Sequence, residues 1–173
     1  MAITGDKVKL STGGPLSKAQ RYLDRALDSF SKEKYDEALA DLNEAVRNER
    51  RNPELYATRG LVLLELGNVE EAEQDFQMAL KFDPSLWAVH YARGKHAFDN
   101  ATFDKALRHF AEAQRVAPMR PEIYVYRAAA YYHLRDKKKA EAEIDAALQI
   151  PETRGKLAKD VRKWRKAIKD MSG

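Results

Sequence analysis

Cysteine is absent from all 173 residues, which removes disulfides, thiolate nucleophiles and cysteine-ligated metals together. That absence fits a reducing compartment. No stretch approaches the ~18 consecutive apolar residues that a membrane span needs, and Lys7 and Lys9 have no apolar run behind them, so no secretory signal is expected. Residue 2 is alanine, so the glycine required for myristoylation is missing. The expectation is a cytoplasmic protein. Histidine is scarce too: His90, His96, His109 and His133 show no metal-ligand spacing, and no Ser-His-Asp grouping stands out. No catalytic, cofactor-binding or metal-binding residue is therefore assigned, and an enzyme is not expected.

What the chain does have is charge, unevenly placed. The total is +4, yet residues 152–173 carry eight Lys or Arg against Glu152, Asp160 and Asp170, a balance of +5. The other 151 residues thus sum to −1: a near-neutral body with a basic tail. Hydrophobic residues make up 44% of the chain, enough for a core.

The body is periodic. Ala38, Ala72, Ala106 and Ala140 stand 34 residues apart, and a second alanine follows each by seven, at Ala45, Ala79, Ala113 and Ala147. Between them lie Leu42, Phe76, Phe110 and Ile144. A period of this length, built from pairs of short amphipathic helices, signals stacked repeats. Tyr56, Gly60, Ala72, Phe76, Ala79 and Pro84 form one copy, and His90, Gly94, Ala106, Phe110, Ala113 and Pro118 form the next. The flanking copies are looser, with Ala26 and Ala128 in place of glycine, Arg50 where a proline would end the first, and Pro151 one residue early in the last.

On these residues the chain resembles the tetratricopeptide repeat (TPR) family over about residues 19–152. The resemblance implies an all-α, right-handed superhelical α-solenoid of four helix pairs plus a C-terminal capping helix. The expected divisions are an N-terminal arm at 1–16, repeats at about 19–52, 53–86, 87–120 and 121–151 within 17–151, and a basic amphipathic capping helix at 152–173. Residues 1–16 match no helical pattern and end in Gly-Gly-Pro-Leu, so a mobile arm is expected; its Ile3, Val8 and Leu10 offer a groove-binding alternative.

Local signals mark the helix ends. Ser17 with Gln20, and Asn68 with Glu71, have capping-box spacing, and Asn52-Pro53 pairs an N-cap with proline at the first helical position. Gly67 is a helix stop, Thr102 can cap, and a turn is expected near Arg135-Asp136. Leu157, Val161, Trp164, Ile168 and Met171 recur every three or four residues, a stripe suited to closing the last repeat. Gly60 and Gly94 sit inside expected helices at a propensity cost of about 1 kcal/mol each, which a close backbone approach would justify.

An arginine precedes each small residue, at Arg25, Arg59, Arg93 and Arg127, and sixteen residues on lie Asp41, Asp75, His109 and Glu143. Three acids in four indicate an arginine–carboxylate pair within each repeat. The alternative is a row of ligand-binding arginines, with Arg93 either borrowing Asp75 or receiving a ligand carboxylate.

In TPR proteins the first helix of each pair lines the concave face. The resemblance places Leu27 and Phe30, Leu61 and Leu64, then Tyr91, Lys95 and Phe98, then Val125, Ala129, Tyr132 and His133 on a peptide-binding groove. Such a mostly apolar face suits an amphipathic helix or extended apolar segment of another protein, making the chain an adaptor or co-chaperone-like scaffold. Some relatives clamp acidic chaperone tails with lysine, asparagine and arginine. The matching positions here are Leu23, Leu27, Ala57, Leu61, Ala88 and Ala92, which argues against that ligand. Two alternatives remain: the basic C-terminal helix holding nucleic acid or an anionic surface, and a homo-oligomer formed by self-association. Nucleic acid is disfavoured because the lone aromatic of that helix, Trp164, lies on its apolar stripe. Membrane is disfavoured if the stripe is buried.

Overall fold

The computed structural model describes residues 16–171, apart from the side chain of Lys156; the expected N-terminal arm lies almost wholly outside this range. Among the described residues are nine helices and no strand. They are α1 (Lys18–Ser31), α2 (Tyr35–Asn48), α3 (Pro53–Glu65), α4 (Val69–Phe82), α5 (Trp87–Asp99), α6 (Phe103–Val116), α7 (Pro121–His133), α8 (Lys137–Gln149) and α9 (Gly155–Lys169). Helices pair as α1 with α2, α3 with α4, α5 with α6 and α7 with α8. The chain divides after Pro84 into two compact units, one holding α1–α4 and the other α5–α9.

Each pair closes on the recurring residues. Ala38, Ala72, Ala106 and Ala140 are fully buried, as are Ala45, Ala79, Ala113 and Ala147, with Leu42, Phe76, Phe110 and Ile144 between them. The glycines answer to the aromatics. A Cβ on Gly60 would lie 2.6 Å from the Phe76 ring, and one on Gly94 would lie 2.6 Å from that of Phe110. Where the partner position is the aliphatic Leu42 or Ile144, the small residue is Ala26 or Ala128.

The turn inside each pair is built the same way four times. Glu33, Gly67, Ala101 and Arg135, each 34 residues from the last, adopt positive φ of 60°, 82°, 54° and 62°. After each, the next amide reaches back five residues: Lys34 to Ser29 O, Asn68 to Leu63 O, Thr102 to Ala97 O and Asp136 to Tyr131 O, at 2.8–3.0 Å. This double closure by a left-handed residue satisfies the last carbonyls of the first helix. Only one of the four positions is glycine; the turn expected near Arg135-Asp136 falls on another, but the left-handed conformation itself has no mark in the sequence at Glu33, Ala101 or Arg135.

Caps at the starts are more varied. Ser17 Oγ accepts from the Gln20 amide at 3.1 Å, but the Gln20 side chain turns to Asp24 and Ser17 itself donates to Glu49 Oε1 at 2.7 Å. The capping box is thus half made. Asn52 accepts from the Glu54 amide ahead of Pro53, and Asp136 caps α8 through the Lys139 amide. Asn68 and Thr102 make no side-chain cap, contrary to the expectation. Thr102 Oγ1 donates instead to Ala97 O, backing up the turn.

In the second unit the stripe of α9 is seated. Val161, Ile168 and Met171 are buried with Val125, Ala128, Ala140, Ile144 and Ala147, and Leu157 and Trp164 pack at the edge. Lys137 Nζ donates to the Lys169 and Met171 carbonyls, closing the end of α9.

Candidate functional site

Arg25, Arg59 and Arg127 act structurally. Arg59 forks onto Asp75 through Nε and Nη2, both at 2.7 Å, and Nη1 donates to Asn43 Oδ1 on α2 at 3.0 Å. The Asp75 bond holds the Arg59 guanidinium pKa above its ordinary value, against the opposing effect of burial. Arg127 pairs with Glu143 at 2.6 Å and donates to Gln114 on α6, leaving its buried Nε without an acceptor. Burial pushes the Glu143 carboxyl up, and the Arg127 charge opposes it. Arg25 reaches Asp41 at 2.8 Å but its side chain is 68% exposed, against 21% for Arg59 and 15% for Arg127. Arg59 and Arg127 each lie against an amide from the helix pair before; for Arg25 no such pair exists among the described residues.

The eleven expected groove positions separate by burial. Tyr91, Val125 and Ala129 are only 8%, 6% and 2% exposed, which corrects their expected place on a binding face. They stack helix on helix, and burial holds the Tyr91 phenol well above its usual pKa. In the first unit Leu27 is exposed, and Phe30, Leu61 and Leu64 are half-buried, with Phe30 edge-on to Tyr35 at 5.5 Å. In the second unit Lys95, Phe98 and Tyr132 are half-buried and His133 is exposed.

The second unit brings a subset of these together. His133 stacks flat on Phe103 at 4.6 Å and meets Phe98, Tyr132 and Trp164 edge-on at 5.5–6.2 Å. Phe98 meets Phe103 at 5.4 Å and Tyr126 at 5.5 Å, and Tyr132 meets Trp164 at 5.5 Å. One aromatic cluster thus joins α5, α6, α7 and α9, with the Lys95–Asp99 ion pair (2.7 Å) on the same helix as Phe98. Burial raises the Tyr126 pKa.

Sequence reasoning missed three members. Tyr126 was passed over, Phe103 lies across the turn from Phe98, and Trp164 was assigned only to the capping stripe. The spacing of Phe30 to Tyr35 and of Phe98 to Phe103 is the same five residues around a left-handed turn, and that signal was available. Among the described residues no group of three His, Asp or Glu could hold a metal ion.

Comparison with known proteins matches this architecture. The tetratricopeptide repeat profile covers residues 23–86 and 91–155. The chain belongs to the tetratricopeptide repeat family. Tetratricopeptide repeat protein 16 of Mus musculus is 30% identical over 144 residues, spanning 79% of this chain but 19% of that protein. The chain therefore represents about a fifth of that relative's length. A thermophilic TPR protein of Thermus thermophilus superposes with a TM-score of 0.71 at 20% identity, covering 87% of this chain and 80% of that one. The first TPR of Spaghetti, solved with an HSP90 peptide, gives 0.57 at 21% identity over 68% of this chain and 93% of that one. Both solved structures share the all-α TPR fold, which is typical of protein–protein interaction. No described helix is long and apolar enough to cross a membrane.

Proposed function

We propose that this TPR protein is a non-catalytic adaptor or chaperone-like scaffold of the cytoplasm that holds an apolar or amphipathic segment of another protein. We assign the contact to the partly exposed residues Phe98, Phe103, Tyr132, His133 and Trp164 of the second unit, with Lys95 and Asp99 as polar rim; Leu27, Phe30, Leu61 and Leu64 are the corresponding apolar positions of the first unit, taken by itself. Within the repeats at 17–151 and the cap at 152–173, the helices α5, α6, α7 and α9 are the framework for this face. The aromatic cluster carries the proposal. Aromatic side chains combine large contact area with few rotatable bonds, and they dominate the energetics of interfaces. An apolar face next to a charged pair suits a helix read at every third or fourth residue.

The peptide carried by Spaghetti does not transfer. Relatives that grip acidic chaperone tails need cationic side chains, and the matching positions here are apolar, with Ala57 and Ala92 buried as well. A peptide-display selection on the full chain tests the reading, repeated with Phe103→Ser/His133→Ser after its helicity is checked. Selected ligands should carry apolar residues at helical spacing and weaken at least about tenfold on the variant, or about 1.4 kcal/mol. Ligands that bind the variant equally well would place the contact elsewhere.

A further inference from the structure

The solvent-facing arc of α9 is a feature that the aromatic cluster does not use. Lys159, Arg162, Lys163, Lys166 and Lys169 fall opposite the buried stripe, and all five are exposed. Among the described residues their side chains make no ion pair or hydrogen bond, whereas Arg25, Arg59, Lys95, Arg115 and Arg127 each have a carboxylate. Arg165, at the edge of the arc, lies 3.7 Å from Asp145, and Asp170 is the one acid on the arc itself. Lys159 to Lys169 spans about 15 Å of helix axis. Five unneutralised cations over that length repel one another and favour any polyanion that can face them together.

The surroundings select among polyanions. Docking on a bilayer would use an apolar arc, and here that arc is in the core, with Val161 at 0% and Ile168 at 1% exposure. A protein interface has an apolar or aromatic centre depleted in lysine, and the arc has none. Nucleic-acid interfaces are instead rich in Lys and Arg over phosphates. Binding of single strands relies on stacked aromatics, but the only aromatic of α9, Trp164, packs on Tyr132. The missing aromatic excludes base stacking. It does not bear on backbone contact. We propose that the solvent arc of α9 binds the phosphate backbone of duplex nucleic acid, without reading its sequence. This rests on α9 alone and is independent of the peptide reading.

The test is fluorescence anisotropy of the full chain with a labelled duplex of about twenty base pairs, titrated between about 50 and 200 mM salt. Contact with four or five phosphates gives a log–log salt slope of about −4, so affinity falls roughly 250-fold over that range. Lys159→Gln/Arg162→Gln/Lys166→Gln should bring the slope to about −1 to −2, while Lys105→Gln/Arg108→Gln on α6 leaves it unchanged. A second duplex of unrelated sequence should bind equally. Should the triple variant lose helicity, Lys159→Gln alone decides by a slope change of about 0.9. The proposal is overturned if the duplex is not bound at the lowest salt or if the triple variant keeps the full slope. It is also overturned if phosphatidylserine vesicles are bound and duplex is not, or if polyglutamate displaces duplex at equal charge.

Discussion

Two residues in each repeat are set by one another, and the pairing is a matter of volume. Gly60 and Gly94 face Phe76 and Phe110 at a distance that leaves no room for a methyl group, while Ala26 and Ala128 accompany Leu42 and Ile144. Gly60→Ala should therefore destabilise by about 1–3 kcal/mol through overpacking, despite the better helix propensity of alanine. Adding Phe76→Leu, the combination present in the first repeat, should recover part of that loss. Urea unfolding of the two single variants and the double measures the coupling. The buried pairs allow a second contrast. Asp75 is 5% exposed and holds two guanidinium nitrogens, so Asp75→Ala should cost about 3 kcal/mol or more by stranding Arg59. Asp99 pairs with Lys95 at the surface, and Asp99→Ala should stay within about 0.5 kcal/mol. Equal, small losses would remove the arginine pairs from the account of stability.

At the scale of the helix, the ends decide more than the middles. Ala101 holds a left-handed conformation that its methyl group disfavours, so Ala101→Gly should stabilise by about 0.5–1 kcal/mol after the added chain entropy of glycine is subtracted. A melting temperature raised by about 2–3 °C would register it; no rise would show that the turn relaxes around alanine. On α5, His90 has its pKa lowered by burial and then by the charge of Arg93. Its folded pKa lies below the unfolded one, so its contribution is complete above about pH 6.5 and is lost as pH falls through the depressed value. The chain should thus lose more stability between about pH 7.5 and 5.5 than His90→Gln does, by denaturant unfolding at the two pH values. These elements also show what the sequence discloses. The periods of alanine and aromatic residues reveal helix pairing because burial repeats with the backbone. Asn68 and Thr102 mislead because cap spacing does not fix where the side chain bonds: Thr102 Oγ1 donates back to Ala97 O, whereas Asp136 at the same place in the last pair does cap. Three of the four left-handed residues are silent because Glu33, Ala101 and Arg135 carry no chemical mark of their conformation. For the expected groove, residue spacing gives the face of a helix, but not the depth to which Tyr91, Val125 and Ala129 sink against neighbours. Phe103 and Trp164 enter the cluster from helices that the face-by-face reading did not include.

For the molecule as a whole, stability in a repeat protein is a sum of local pairings and contacts with the next neighbour. The unit of α5–α9 keeps a core in which Val161, Ile168 and Met171 of the last helix touch residues of α7 and α8. Ile168 is 1% exposed, so Ile168→Ala should cost about 2–4 kcal/mol. Nearest-neighbour coupling makes that loss uneven: amide hydrogen exchange should quicken most in α7, α8 and α9, less in α5 and α6, and least in α1–α4. Exchange that quickened equally in all the described helices would mean that the chain opens as a single cooperative block. The graded outcome would mean that α9 is the lock on its own unit. The same substitution leaves the basic arc in place, but loosens the support that holds its five cations in line. Duplex affinity measured on Ile168→Ala should then fall together with part of the salt slope, because fewer cations meet phosphates at once; unchanged affinity and slope would show that the arc keeps its line without the core beneath it.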